Sequence, residues 1–199
     1  MKKKIKLPNK IVIASFNKGK LVEIKQLFKN TKVNFISVSA FTNIAPEENG
    51  KTFTENALIK AKSANKISGL ASIADDSGLC INALNGEPGI FSSRWAGKNN
   101  NFSGAINIIE KKLENEENKT AYFICALVLV LNTNQEFTFI GKIHGSLVFP
   151  PKGKRGFGYD PIFLPNKQIL TFGQMNPKKK DLISHRFEAY KKMEEVFYV

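Results

Sequence analysis

The chain is poor in the residues that staple or ligate. Its 199 residues include two cysteines, Cys80 and Cys125, and two histidines, His144 and His185. No CxxC, HExxH or comparable spacing joins them, which excludes a disulfide framework or a sequence-defined zinc site. Both cysteines sit in apolar stretches and read as buried, reduced thiols. Long apolar runs are missing too: Ile124 to Leu131 covers eight residues, less than half of what a membrane-crossing helix requires. The basic start through Lys10 is followed only by Ile11 to Ala14 before Ser15, so it reads as a frayed N-terminus of a cytoplasmic protein and not as a signal peptide. Arginine is scarce, three against 27 lysines. Arg94, Arg155 and Arg186 all fall in motif-rich segments, where a planar fork of donors does what lysine cannot.

What is present is an ordinary globular composition, 42% hydrophobic and 24% charged, with a net charge of +13. Such a charge attracts polyanions. Twenty asparagines and twenty isoleucines beside the lysines also fit drift in an AT-rich genome. No repeat or low-complexity linker divides the chain, and the polar stretch 114–120 reads as an exposed connection.

Periodicity places a buried strand at 10–15 and an amphipathic helix at 18–29, with Leu21, Ile24, Leu27 and Phe28 on one side. A strand over 33–38 and a loop over 40–50 follow. Thr52 and Glu55 form a capping-box pattern opening a helix to Ser68, stopped by Gly69. Strands over 71–75 and 79–83 bracket a turn at Asp76-Ser77-Gly78. A helix near 102–113 precedes β stretches at 121–131 and 136–149, joined at 132–135 as an antiparallel hairpin. Residues 150–160 read as an irregular loop. A last helix spans about 184–197 with Phe187, Tyr190, Met193 and Phe197 inward. Alternating strands and helices with one hairpin indicate an α/β fold with a mixed sheet.

Five segments could carry chemistry. Ser15-Phe16-Asn17-Lys18-Gly19-Lys20, between strand and helix, can cradle phosphate at the helix N-terminus, or be a plain capped helix with solvated lysines. It lacks the first glycine and the Ser/Thr of a Walker A loop. Asn56 and Lys60, four apart, share one helix face beside small Ala57, Ala61 and Ala64. They can reach into a cleft or line a solvated face. Asp75 and Asp76 end an apolar strand, where ligands of α/β sheets collect. With Glu47 or Glu48, Asp76 could hold Mg²⁺ and activate water, the alternative being an Asx-turn. Lys152 to Pro161 interleaves glycines with Phe157 and Tyr159, which can stack on a base while Asp160 accepts from ring N–H groups. In Lys180 to Arg186, Ser184 reads as an N-cap, placing His185 and Arg186 in a first helical turn where cations oppose the dipole. Such a breach of a local rule points to a functional site.

In this order the segments resemble the Ham1-like family, the inosine triphosphate pyrophosphatases that act on non-standard purine nucleotides. The likeness runs through IASFNKGKLVEI, EENGKTFTENALIKAKSA, ADDSGLCINALNGEPGIFSSRWAG, GFGYDPIF and KKKDLISHR. It implies one domain over 1–199 with an elongated mixed β-sheet flanked by helices and two lobes around a central substrate cleft. It further implies a homodimer that uses Mg²⁺ to hydrolyse inosine and xanthosine triphosphates and their deoxy forms to monophosphate and pyrophosphate. Residue by residue, Ser15, Phe16, Asn17, Lys18, Gly19 and Lys20 resemble the triphosphate-binding segment, and Asp76 the metal-ligating general base. Glu47 resembles the second metal carboxylate, with Glu48 one position away. Lys60, Ser77, Phe157, Gly158, Tyr159, Asp160, Lys180, His185 and Arg186 resemble substrate-contacting positions. On this reading Asp76 takes a proton from water attacking the α-phosphorus, and donors such as His185 or Arg186 select a 6-oxo purine. The family commonly has Thr-Gly-Asn where this chain has Ser15-Phe16-Asn17, and an acid before Lys180 where this chain has Lys179. Two other classes compete: a Maf-like pyrophosphatase of different nucleotide choice, and a nucleotide- or nucleic-acid-binding protein without turnover. The chain carries no RNP, KH or zinc-finger signature, so no nucleic-acid partner is expected.

Overall fold

Strand alternation decides how the core is built. In a computed structural model of the chain, which describes residues 4–97, 99–132 and 135–198, the odd-numbered Ile11, Ile13, Ile73, Cys125, Leu127 and Leu129 pack in one buried cluster. The even-numbered Val12, Ala14, Ala74, Ala126, Val128 and Val130 pack in another. A sheet buried on both faces produces this division, because successive side chains point to opposite sides.

The elements in chain order are β1 (Ile5–Lys6), β2 (Lys10–Ile13), α1 (Lys18–Leu27), β3 (Asn34–Ser37), α2 (Phe53–Ser68), β4 (Ala71–Ile81), α3 (Ser92–Trp95) and α4 (Phe102–Lys112). They continue with β5 (Thr120–Asn132), β6 (Gln135–Leu147), β7 (Phe163–Pro165), α5 (Pro177–Asp181), α6 (His185–Val196) and β8 (Phe197–Tyr198). Six strands form one mixed sheet in the order β3-β2-β4-β5-β6-β7. β2 pairs in parallel with β3 and β4, and β6 pairs antiparallel with β7. β5 and β6 are neighbours separated by a two-residue connection, which only antiparallel strands allow. The centre of the expected hairpin turn, Thr133 and Asn134, lies outside the described residues.

The chain divides into two compact units. One comprises residues 1–76, 125–141 and 186–199, the other 77–124 and 142–185. In the first, Ile24 of α1, Phe28 just past its end and Ala189, Tyr190 and Met193 of α6 cover the odd-numbered sheet face, while Ala57, Ala61 and Ala64 of α2 cover the even-numbered one. In the second, α4 contributes Ala105, Ile106 and Ile109 to a core with Leu79, Ile81, Phe123, Phe163 and Phe172. Among the described residues no helix is long and apolar enough to cross a membrane.

Three expectations change. The turn at Asp76-Ser77-Gly78 does not form: β4 runs unbroken through it, with Asp75 and Asp76 buried. The N-terminal segment is not frayed throughout, since Ile5 and Lys6 pair in parallel with Phe197 and Tyr198. Phe197 accordingly stands in β8 and not in the last helix, though it is buried as expected. The helix cap is as the sequence indicates: Thr52 accepts from the Glu55 N–H at 3.1 Å, and Gly69 takes a left-handed φ of 66°. The reciprocal arm is shifted by one residue, Glu55 accepting from Lys51 N–H at 2.6 Å.

Candidate active site

The parallel β2–β4 pair brings the first charged cluster together. Ile13 lies opposite Ile73, so Ser15 and Asp75 each stand two residues further along adjacent strands. Asn17 caps α1, its Oδ1 accepting from Lys20 N–H at 3.1 Å, and its own N–H donates to Ser15 Oγ at 3.2 Å. The first turn of α1 holds no acid, so its positive dipole end is left for an external anion. Lys18 is exposed, Gly19 and Lys20 half-buried, and Phe16 is 42% exposed, turned outward from the core.

Alternation in β4 sends the two acids to opposite faces. Asp75, on the odd face, receives Lys20 Nζ at 3.2 Å and Arg186 Nε and Nη2 at 3.2 and 3.0 Å. Burial alone would raise its pKa, but Lys20, Arg186 and Lys60 outweigh it and hold the carboxyl well below its ordinary range. Arg186 also pairs with Glu23 and is 2% exposed, so its guanidinium is committed to carboxylates. Burial works against its charge, yet Asp75 and Glu23 raise its pKa.

Asp76, on the even face, accepts from Lys60 Nζ through Oδ1 at 2.9 Å. Its Oδ2 is buried without a partner. Burial pushes its pKa upward against the pull of Lys60 and Lys20. Burial opposes the charge of Lys60, but Asp76, Glu48 and Asp75 overcome it and raise its pKa. Lys60 also holds Glu48 at 3.1 Å, whereas Glu47 is exposed. Among the described residues no three His, Cys, Asp or Glu side chains gather as a metal cage. The orphaned Asp76 oxygen nonetheless suits a hard cation that takes its remaining ligands from phosphate and water.

The other predicted residues lie in the second unit, where Ser77 is half-buried in β4. Lys180 is buried, 2.6 Å from Asp160 Oδ2 and 5.0 and 5.4 Å from the ring centroids of Phe157 and Phe172. Asp160 Oδ2 also accepts from Phe157 N–H at 2.8 Å. A Cβ on Gly156 would come within 2.0 Å of this oxygen, at a φ of 74° that already favours glycine. Gly158 has a similar φ of 68°. Tyr159 is buried, its hydroxyl donating to the Ser92 carbonyl at 2.8 Å and its ring edge-on to Phe102. Of this segment Phe157 keeps a half-exposed ring. His185 is buried and stacked on Phe123 at 5.0 Å.

Sequence reasoning passed over Glu23 and the separate role of Asp75. Glu23 meets Arg186 across 163 positions, a distance that no local pattern spans. For Asp75 the alternation of the strand was the available signal.

Asp75 and Asp76 within β4, met by Lys20 of the capped helix α1 and Lys60 of α2, define a mixed α/β protein with a charged lysine–carboxylate cluster on its sheet. A family profile described as the Ham1 family matches residues 11–196, and the chain belongs to that family. It is 42% identical over 191 residues to a dITP/XTP pyrophosphatase of Caulobacter vibrioides, covering 95% of this chain and 98% of that one. A dITP/XTP pyrophosphatase of Coxiella burnetii is 42% identical over 190 residues, covering 94% and 95%. Among solved structures, a HAM1 protein from Coxiella burnetii superposes with a TM-score of 0.87 at 40% identity, over 95% of this chain and 98% of that one. The Ham1 protein of Staphylococcus aureus gives a TM-score of 0.84 at 38% identity, over 94% and 96%.

Proposed function

We propose that this chain is a nucleoside triphosphate pyrophosphatase that hydrolyses dITP, ITP and XTP to monophosphate and pyrophosphate. The observation that carries the mechanism is Asp76: a buried carboxylate in the middle of β4, one oxygen on Lys60 and the other unpartnered. The family match includes both compact units, so the activity is assigned to the whole chain.

The residues divide the work by charge. The free N–H groups at the start of α1, with Lys18 and Lys20, receive the leaving pyrophosphate. Asp76 accepts the proton of the water that attacks the α-phosphorus. Lys60 holds this carboxylate in place and carries positive charge beside it. Asp76 with Glu48 or Glu47 would hold Mg²⁺, which would neutralise charge on the phosphates. Glu48 is favoured over its neighbour because it already shares Lys60 with Asp76. A 6-oxo purine is selected by donors that an adenine amino group would leave unpaired. Homodimerisation is part of the proposal and is read by light scattering.

Pyrophosphate release is measured with Mg²⁺ across ITP, dITP, XTP, GTP, ATP, CTP and UTP. Preference for ITP, dITP and XTP is expected. Asp76→Asn is expected to lose at least about a hundredfold in kcat while still binding nucleotide. Near-normal kcat in that variant removes Asp76 as the base. Turnover of pyrimidine nucleotides alone favours a Maf-like specificity, and binding without turnover favours a binding protein.

A further inference from the structure

We infer that Asn56 is the positioning residue of the acidic loop, fixing its backbone so that Glu48 meets Lys60. The metal-binding consequence rests on the function proposed above.

Asn56 stands in the first turns of α2, fully buried beside Ala57 and the small stripe that continues through Ala61 and Ala64. Its Oδ1 accepts from Gly50 N–H at 2.9 Å, while its Nδ2 is buried without an acceptor. A half-satisfied amide is a costly occupant for a helix face packed on a sheet, where an aliphatic side chain would leave nothing unpaired. The acceptor oxygen is therefore what the position uses. The approach is close from the loop side as well: a Cβ on Gly50 would fall 2.7 Å from both Asn56 Oδ1 and Glu55 Cβ. The next N–H, that of Lys51, is taken by Glu55 Oε2 at 2.6 Å. Consecutive loop amides are thus received by consecutive side chains of α2.

Two residues before Gly50 is Glu48, 3.1 Å from Lys60. Lys60 lies one helical turn beyond Asn56 on the same face and is itself 2.9 Å from Asp76. Helix α2 consequently holds the loop at two points, through Asn56 at its backbone and through Lys60 at its carboxylate. Asn56 touches neither Glu48 nor the reacting atoms in this scheme; it sets where Glu48 can be.

The test uses the full chain with Asn56→Ala, Gly50→Ala and the double variant, and Thr52→Ala as a control that weakens α2 at its cap alone. Mn²⁺ affinity is read from free-ion EPR, and loop order from hydrogen exchange at Gly50 and Lys51. Each single variant is expected to weaken Mn²⁺ binding about tenfold or more, as lost supporting bonds do at metal sites, and to speed exchange at Gly50 and Lys51. The double variant should be no worse than the poorer single one, because both break one contact. Thr52→Ala should lower Tm without moving Mn²⁺ affinity. If Asn56→Ala does not fold, Gly50→Ala carries the test from the loop side. Unchanged Mn²⁺ affinity overturns the inference even where exchange quickens, and so do additive single variants. Wild-type protein that binds Mn²⁺ yet releases no pyrophosphate from any triphosphate overturns the proposed function instead, leaving the loop to be decided by exchange and Mn²⁺.

Discussion

Asp75 and Asp76 are neighbours in sequence and strangers in space, because the pleat of β4 turns one to Lys20 and Arg186 and the other to Lys60. The same pleat explains why two adjacent acids are tolerated inside a strand: each is bonded to cations on its own face, and Lys20 and Lys60 act on both. Arg186 is the partner with most to lose. Truncating one member of a buried pair leaves its charge uncompensated, and Arg186→Ala is expected to destabilise the protein by about 3–5 kcal/mol, read as a lower midpoint in urea unfolding. An unchanged midpoint would show that Lys20 alone satisfies Asp75. Resemblance implies that Arg186 meets the substrate; its bonds to Asp75 and Glu23 are a further role that no sequence motif discloses.

At the scale of elements, β5 supplies a probe of burial in Cys125, whose thiol burial pushes up from an ordinary 9.0 to about 12. The unfolded chain releases that proton near its ordinary value, whereas the folded chain retains it. The contribution is therefore fully present below about pH 9 and is lost as pH rises toward about 12. Unfolding midpoints should fall over that window, and Cys125→Ala should flatten the fall; an identical alkaline slope in both proteins would refute the assignment. What the sequence disclosed about elements follows their physics. The capped helix α2 was legible because Thr52, Glu55 and Gly69 act locally. The run from Ala71 to Ile81 was misread as two strands because Asp-Ser-Gly is turn chemistry, overruled by cations from α1, α2 and α6 that only the fold supplies. β1, β7 and β8, of two or three residues each, were not foreseen, as segments that short have no period to detect.

For the whole molecule, the fold class and the order of the motifs were legible, since both depend on alternation and spacing along the chain. The division into units was less so, because each draws on distant segments: residues 1–76 share one unit with 186–199. The parallel pairing of Ile5 with Phe197 and Lys6 with Tyr198 is the outermost stitch of that unit. It places the beginning and the end of the described chain side by side. A short flexible tether between them should then close the polypeptide into a ring with little distortion, and new ends cut within the exposed connection at 114–119 should give a circular permutant that still folds. Circular dichroism and pyrophosphate release by that permutant would check it, with an unfolded product counting against the adjacency.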